Sequence, residues 1–214
     1  MPKISTWNHY LKNREFLSST FLGFVFLAVS LAINFFAGTY ATESASGPVT
    51  DIILSNTRIY DLDGIFVYGS ISFWLFVSYL CIKMPNRIPF TIKAIALFVI
   101  IRSVFISLTH IGPFPEQATI ESNLINKISF GGDLFFSGHT GLPYLMALVY
   151  WNSKLLRVLF LSSAVLFGIV VLLTHMHYSI DVLSAFFITY TIYHIASRMF
   201  KKDRKLFYEE ETVV

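Results

Sequence analysis

Two short stretches of the 214-residue chain hold the residue types that could do chemistry together. One reads Ser137-Gly138-His139-Thr140 and the other His175-Met176-His177-Tyr178-Ser179-Ile180-Asp181. His177 and Asp181 are four apart, a spacing that puts two side chains on one face of a helix. A carboxylate there can accept a hydrogen bond from one imidazole nitrogen, fix the tautomer and leave the other nitrogen as nucleophile or base. The same pair could also do no more than satisfy each other in a polar spot. Gly138 lets a backbone approach closely, and Ser137 and Thr140 are suited either to capping a helix or to bonding phosphate oxygens. A helix start with free N–H groups and the positive dipole end favours an anion, phosphate above all. Two histidines and an aspartate at two helix starts fit phosphoryl transfer.

The elements that must position these residues follow from composition. Apolar residues make up 55% of the chain and charged residues 14%, with mean hydropathy +0.63. Ordinary soluble domains have about 25% charged residues, and disordered chains are less apolar still. The net charge of +3 gives no reason to expect nucleic acid. The single cysteine, Cys81, excludes an internal disulfide framework. Six apolar runs approach the ~20 residues needed to cross a bilayer: residues 16–37, 64–82, 90–108, 135–151, 155–173 and 179–200. The first is too long for a signal-peptide core and reads as a retained anchor. The expectation is an all-α, polytopic protein with six transmembrane helices forming a single catalytic domain over residues 1–214, with tails at 1–15 and 201–214.

Orientation follows from Lys and Arg in the flanks. With both termini cytoplasmic, that side holds Lys3, Lys12, Arg14, Lys83, Arg87, Lys93, Lys154, Arg157, Arg198, Lys201, Lys202, Arg204 and Lys205. The outer loops then hold only Arg58 and Lys127, and Arg102 lies inside a span. The basic tail after Phe200 reads as a topology anchor at anionic lipid heads. His110, His139, His175 and His177 fall on the outer side, periplasmic, extracellular or lumenal. Ionisable groups inside spans are costly and are functional candidates by default, which singles out Arg102, His139 and Asp181. Tyr178, Phe135, Phe136 and Trp151 near span ends read mainly as an interfacial aromatic belt.

Gly131-Gly132-Asp133-Leu134-Phe135-Phe136-Ser137-Gly138-His139-Thr140, followed by His175 to Val182, resembles the sphingomyelin synthase branch of the type 2 phosphatidic-acid phosphatase superfamily. Arg102-Ser103-Val104-Phe105 and the later Pro113-Phe114-Pro115 also resemble that branch, and the likeness covers about residues 102–200. The resemblance implies that His177 attacks phosphorus and forms a phosphohistidine. It implies that Asp181 orients His177, and that His139 protonates the leaving alcohol and then deprotonates the acceptor, without a metal or other cofactor. The Lys-x6-Arg-Pro motif of the wider superfamily is absent, and Val171 stands where those phosphatases carry an arginine before the nucleophile. Arg102 is then the remaining cation for phosphate, either binding it or ion-paired with Asp133 or Glu116. Ser137, Gly138, Thr140, His175 and Asp133 complete the candidate phosphate-binding set, and Glu116, Glu121 and Asp133 could also meet a lipid amine.

The expected partners are the bilayer, a phospholipid donor, and a lipid alcohol or water as acceptor; oligomeric state is open. Water as acceptor would make the protein a lipid phosphatase or a phospholipase C-type hydrolase. A rhomboid-type protease would need a Gly-x-Ser-Gly motif, and Phe135 occupies its first glycine. A metal site built from His139, His175, His177 and Asp181 and a non-enzymatic lipid transporter are the other rivals.

Overall fold

A computed structural model describes residues 7–117 and 134–208, so Asp133 and Glu121 lie outside the described residues. Every regular element among the described residues is helical. In chain order these are α1 (Trp7–Tyr10), α2 (Arg14–Glu43), α3 (Asp63–Lys83), α4 (Ile88–Leu108), α5 (Gly138–Val149), α6 (Lys154–Leu173), α7 (Ser179–Met199) and α8 (Lys201–Tyr208), with 3-10 turns at Leu54–Asn56 and Pro85–Arg87.

Five helical stretches are long and apolar enough to cross a membrane: Arg14–Glu43, Asp63–Lys83, Pro85–Leu108, Lys154–Leu173 and Ser179–Met199. Their outward faces are apolar, with Phe21, Phe36, Leu155 and Phe187 largely exposed. Such a surface suits lipid and not water. Together these helices suggest a multi-pass membrane protein. α2 begins where Asn13 accepts hydrogen bonds from the N–H groups of Glu15 and Phe16 at 2.9 and 3.2 Å. α2 packs closely on α4, and a Cβ on Gly23 would lie 3.5 Å from Ile92.

The expected fourth span departs from this pattern. α5 has only 12 residues, about 18 Å of helix against the ~30 Å of a hydrocarbon core. The residues before it form a turn, with φ of +83° at Phe135 and +55° at Phe136. Non-glycine residues rarely take that conformation, and it spends the stretch that would otherwise extend the helix. Backbone that is not helical is tolerated at membrane depth where protein covers it. α5 is so covered: Leu145, Met146, Ala147 and Val149 are fully buried between α4, α6 and α7. Gly141 permits the contact, since a Cβ there would meet Phe98 at 2.7 Å and Thr189 Oγ1 at 2.9 Å.

The helices share two ends. At one, Lys93 Nζ lies 2.7 Å from Asp203 Oδ2 and donates to Ser19 Oγ at 2.6 Å, and Ser19 donates to Asp203. Asn86 Nδ2 donates to the carbonyls of Leu206 and Phe207, and the Tyr208 hydroxyl to that of Val149. Residues 201–208 are therefore not a free tail. They form a helix that buries Asp203 and Phe207 against the bundle, with the Arg87 guanidinium over the rings of both Tyr150 and Phe207. At the other end, residues 44–62, 109–117, 134–137 and 174–178 meet.

Candidate active site

His177 and Asp181 do come together, though not as two turns of one helix face. α7 begins at Ser179 and Tyr178 is its N-cap, so His177 lies outside the helix. Asp181 is the third helical residue and its carboxylate reaches back, as in a capping box. Its Oδ2 accepts the Tyr178 N–H at 3.1 Å and faces His177 Nδ1 at 3.2 Å. Asp181 is fully buried and His177 nearly so. With Nδ1–H donating to the carboxylate, Nε2 is the nitrogen left with a lone pair.

His175 occupies the end of α6. The His175 N–H donates to Leu172 O at 3.1 Å and the Met176 N–H to Val171 O at 3.0 Å. This is the paired bonding of a Schellman cap, whose left-handed position usually carries glycine. Here that position is His175, with φ +57°, a conformation costing a side chain about 1–2 kcal/mol. The ring is buried, donates from Nδ1 to the Glu116 carbonyl at 3.2 Å and stands edge-on to Phe114. Its Nε2 has no partner among the described residues.

The Ser137–Thr140 stretch is joined to this segment through the backbone. The Ser137 N–H donates to the Asp181 carbonyl at 3.0 Å. Ser137 caps α5, its Oγ accepting the Thr140 N–H at 3.4 Å. The Thr140 hydroxyl turns toward Gly168 on α6 and is buried without a partner among the described residues. His139 directly follows Ser137 and Gly138, the residues that meet the Asp181 carbonyl and Arg102. Its ring packs on Phe66 of α3 at 4.2 Å between centroids, with Phe167 at 6.4 Å. Arg102 sits six residues before the end of α4, about 9 Å down the helix. Its Nε donates to the Phe136 carbonyl at 3.3 Å, and a Cβ on Gly138 would lie 3.4 Å from that nitrogen.

Among the described residues no three His, Cys, Asp or Glu side chains are grouped as metal ligands. The facing atoms of His177 and Asp181 are spent on each other. Tyr178 and Phe136, expected in an interfacial belt, are instead buried in this end of the molecule, while Trp151 is exposed beneath Arg157. The Tyr178 hydroxyl donates to Gly112 O at 2.9 Å and accepts from the Val49 N–H at 3.2 Å. Asp51, which no motif marks, is buried at the start of α7.

Residues 131–198, under half of the chain, match the PAP2 superfamily C-terminal family. The match supports the type 2 phosphatidic-acid phosphatase superfamily, and with it a phosphatase or phosphotransferase enzyme working in a membrane lipid context. No curated protein and no solved structure is similar to the chain at a significant level.

Proposed function

We propose that the protein moves a phosphoryl-bearing group from a phospholipid of the outer leaflet to a second lipid alcohol, as a sphingomyelin synthase-type head-group transferase does. The observation that carries this reading is the His177 Nδ1–Asp181 Oδ2 pair held against the turn that bears His139. His177 Nε2 attacks phosphorus, forming a P–N bond while the P–O bond to the leaving alcohol breaks. His139 gives its proton to that oxygen. The acceptor hydroxyl then attacks phosphorus and returns a proton to His139 as the P–N bond breaks. Asp181 stabilises the imidazolium that forms. Arg102, the N–H groups at the start of α5 and, when the ring carries a proton on both nitrogens, His175 Nε2–H are assigned to the phosphoryl oxygens.

The likeness of residues 131–140 and 175–182 to sphingomyelin synthases supports transfer over hydrolysis. So does the apolar wall of Phe66 and Phe167 beside His139, which suits a lipid acceptor better than water. The excess of Lys and Arg at the opposite end supports six crossings with both termini cytoplasmic and the site outside. In this topology α5 and its preceding turn make the fourth crossing.

The test is incubation of the purified protein with phosphatidic acid, phosphatidylcholine, phosphatidylethanolamine and phosphatidylglycerol, each with and without diacylglycerol or ceramide. A new phospholipid formed only with the acceptor is the expected result. Free phosphate or free phosphorylated head group without acceptor would make the protein a phosphatase or a phospholipase C-type hydrolase. No turnover of any of the four would overturn the reading.

A further inference from the structure

Asp51 lies in the segment joining α2 to α3, 128 residues before Ser179, yet its carboxylate is built into the start of α7. Oδ2 accepts the Ser179 N–H at 2.7 Å and the Ser179 hydroxyl at 2.8 Å. Oδ1 accepts the N–H groups of Ile53 and Leu54 at 2.8 and 3.1 Å, capping the 3-10 turn that follows. The side chain is 7% exposed. Bonds from N–H and O–H donors to a carboxylate are among the stronger ones in proteins. These fall on the first residue of the helix, whose N–H has no partner within it.

The segment so held is the one that carries the chemistry. Ser179 lies two residues from His177 and two from Asp181. Between them, the Tyr178 N–H is taken by Asp181 and its hydroxyl by Gly112 and Val49. Asp51 is thus the charged member of a set of contacts through which the α2–α3 segment fixes where α7 begins. We propose that Asp51 is a positioning residue for the His177–Asp181 pair, acting through Ser179 and not by touching the reacting atoms. The inference rests on the function proposed above.

Ser179→Pro isolates the contact. Proline lacks both donors that Asp51 uses, and it is well accepted as the first residue of a helix. Tyr178 already has φ −69° and ψ 157°, the extended conformation that a following proline requires. The experiment measures kcat and KM per folded enzyme, with the fastest donor of the phospholipid panel. The variants are Asp51→Ala, Asp51→Asn, Ser179→Pro, the double variant Asp51→Ala/Ser179→Pro, and His177→Ala. Ile52→Ala, at a side chain 82% exposed, is the control.

A displacement of about 1 Å at reacting groups costs on the order of 100-fold in rate. The expected result is a fall of about 10- to 100-fold in kcat for Asp51→Ala and for Ser179→Pro, with KM within about 3-fold. The double variant should be no worse than Asp51→Ala, because the Asp51–Ser179 contact that Ser179→Pro removes is already absent there. Asp51→Asn, which retains one acceptor oxygen, should lie between. Wild-type kcat per folded enzyme in Asp51→Ala or Ser179→Pro, with His177→Ala inactive, would overturn the positioning role and leave the proposed function standing. Multiplying losses in the double variant would also overturn it. Full activity in His177→Ala would overturn the proposed function itself.

Discussion

His177 and His139 do different work in the proposed scheme, and the difference can be measured at the residue. Removing a nucleophile ends turnover whatever the leaving group, whereas a general acid matters only when the leaving group needs a proton. His177→Ala should therefore be inactive on lipid and on the p-nitrophenyl ester of the head-group phosphate that the phospholipid panel selects. His139→Ala should lose about 100- to 10,000-fold on lipid but release the first equivalent of p-nitrophenol nearly as fast as wild type. Stopped-flow release of p-nitrophenol separates the two; equal loss of that burst in both variants would contradict the assignment. His175 sits where a glycine would cost least. Asn tolerates the left-handed conformation but lacks the reach of the ring. His175→Asn should keep its melting temperature within a few degrees and lose turnover by at least about 10-fold, as one lost hydrogen bond to a charged group would give.

The His177–Asp181 pair was legible because its members lie four positions apart, whereas His139 was joined to them only through the likeness of the two motifs to a known family. Asp51 was not legible, because its partner is 128 residues away and a lone loop aspartate carries no pattern. Burial opposes ionisation of Asp51, but the bonds from the Ser179 N–H and hydroxyl, Leu54 N–H and Ile53 N–H outweigh it and hold the carboxyl below its ordinary 3.8. A group whose pKa falls on folding stabilises the protein above its unfolded value and ceases to do so as pH drops through the folded one. The melting-temperature gap between wild type and Asp51→Asn should then be constant from about pH 7 to pH 5 and close below 3.8. A gap that widens on acidification would contradict this.

At the scale of elements, the short α5 is what the hydropathy pattern could not show. Residues 135–151 are mainly apolar, with Ser137, Gly138, His139 and Thr140 near the start, so sequence alone reads them as a span. Their helix is shortened by the positive-φ turn at Phe135 and Phe136, and that turn delivers Ser137 to the Asp181 carbonyl and Phe136 O to Arg102. Pro143 within α5 is buried, as are Gly141 and Leu145, and packing on three sides replaces length as the source of stability. This makes α5 sensitive to overfilling. Gly141→Ala would drive a methyl group into Phe98 and Thr189, at a cost of about 1–3 kcal/mol. A lower melting temperature in detergent, together with lost activity, is the expected outcome. An unchanged melting temperature would mean that α4 and α7 yield easily there.

At the scale of the whole molecule, the bundle has a chemical end and an anchoring end. The basic residues expected to fix topology mostly gather at the anchoring end, but Lys93 and Arg87 also do structural work there. Sequence reasoning treated residues 201–214 as a tail because they are polar and follow the last span. Asp203 and Phe207 are the third and seventh residues of that run, and burying them needs partners on α2 and α4 that the pattern does not reveal. Lys93 and Asp203 are both largely buried, and stripping one partner from a buried pair costs about 3–5 kcal/mol, whereas replacing both by apolar residues is often neutral. Asp203→Ala should lower the melting temperature clearly, and Lys93→Met/Asp203→Leu should recover most of the loss. A double variant weaker than Asp203→Ala would mean that the pair itself supplies the stability.

The central claim is a covalent bond between phosphorus and His177 Nε2, and the His139→Ala enzyme offers the most direct view of it. With that p-nitrophenyl ester as donor, the variant can load His177 but lacks the base for the second transfer. Mass spectrometry of the peptide bearing His177, after an alkaline quench, should show one adduct of the donor's phosphoryl group per enzyme on His177 and none on His175. An unmodified His177 during the release of p-nitrophenol, or an adduct on any other residue, would contradict the account.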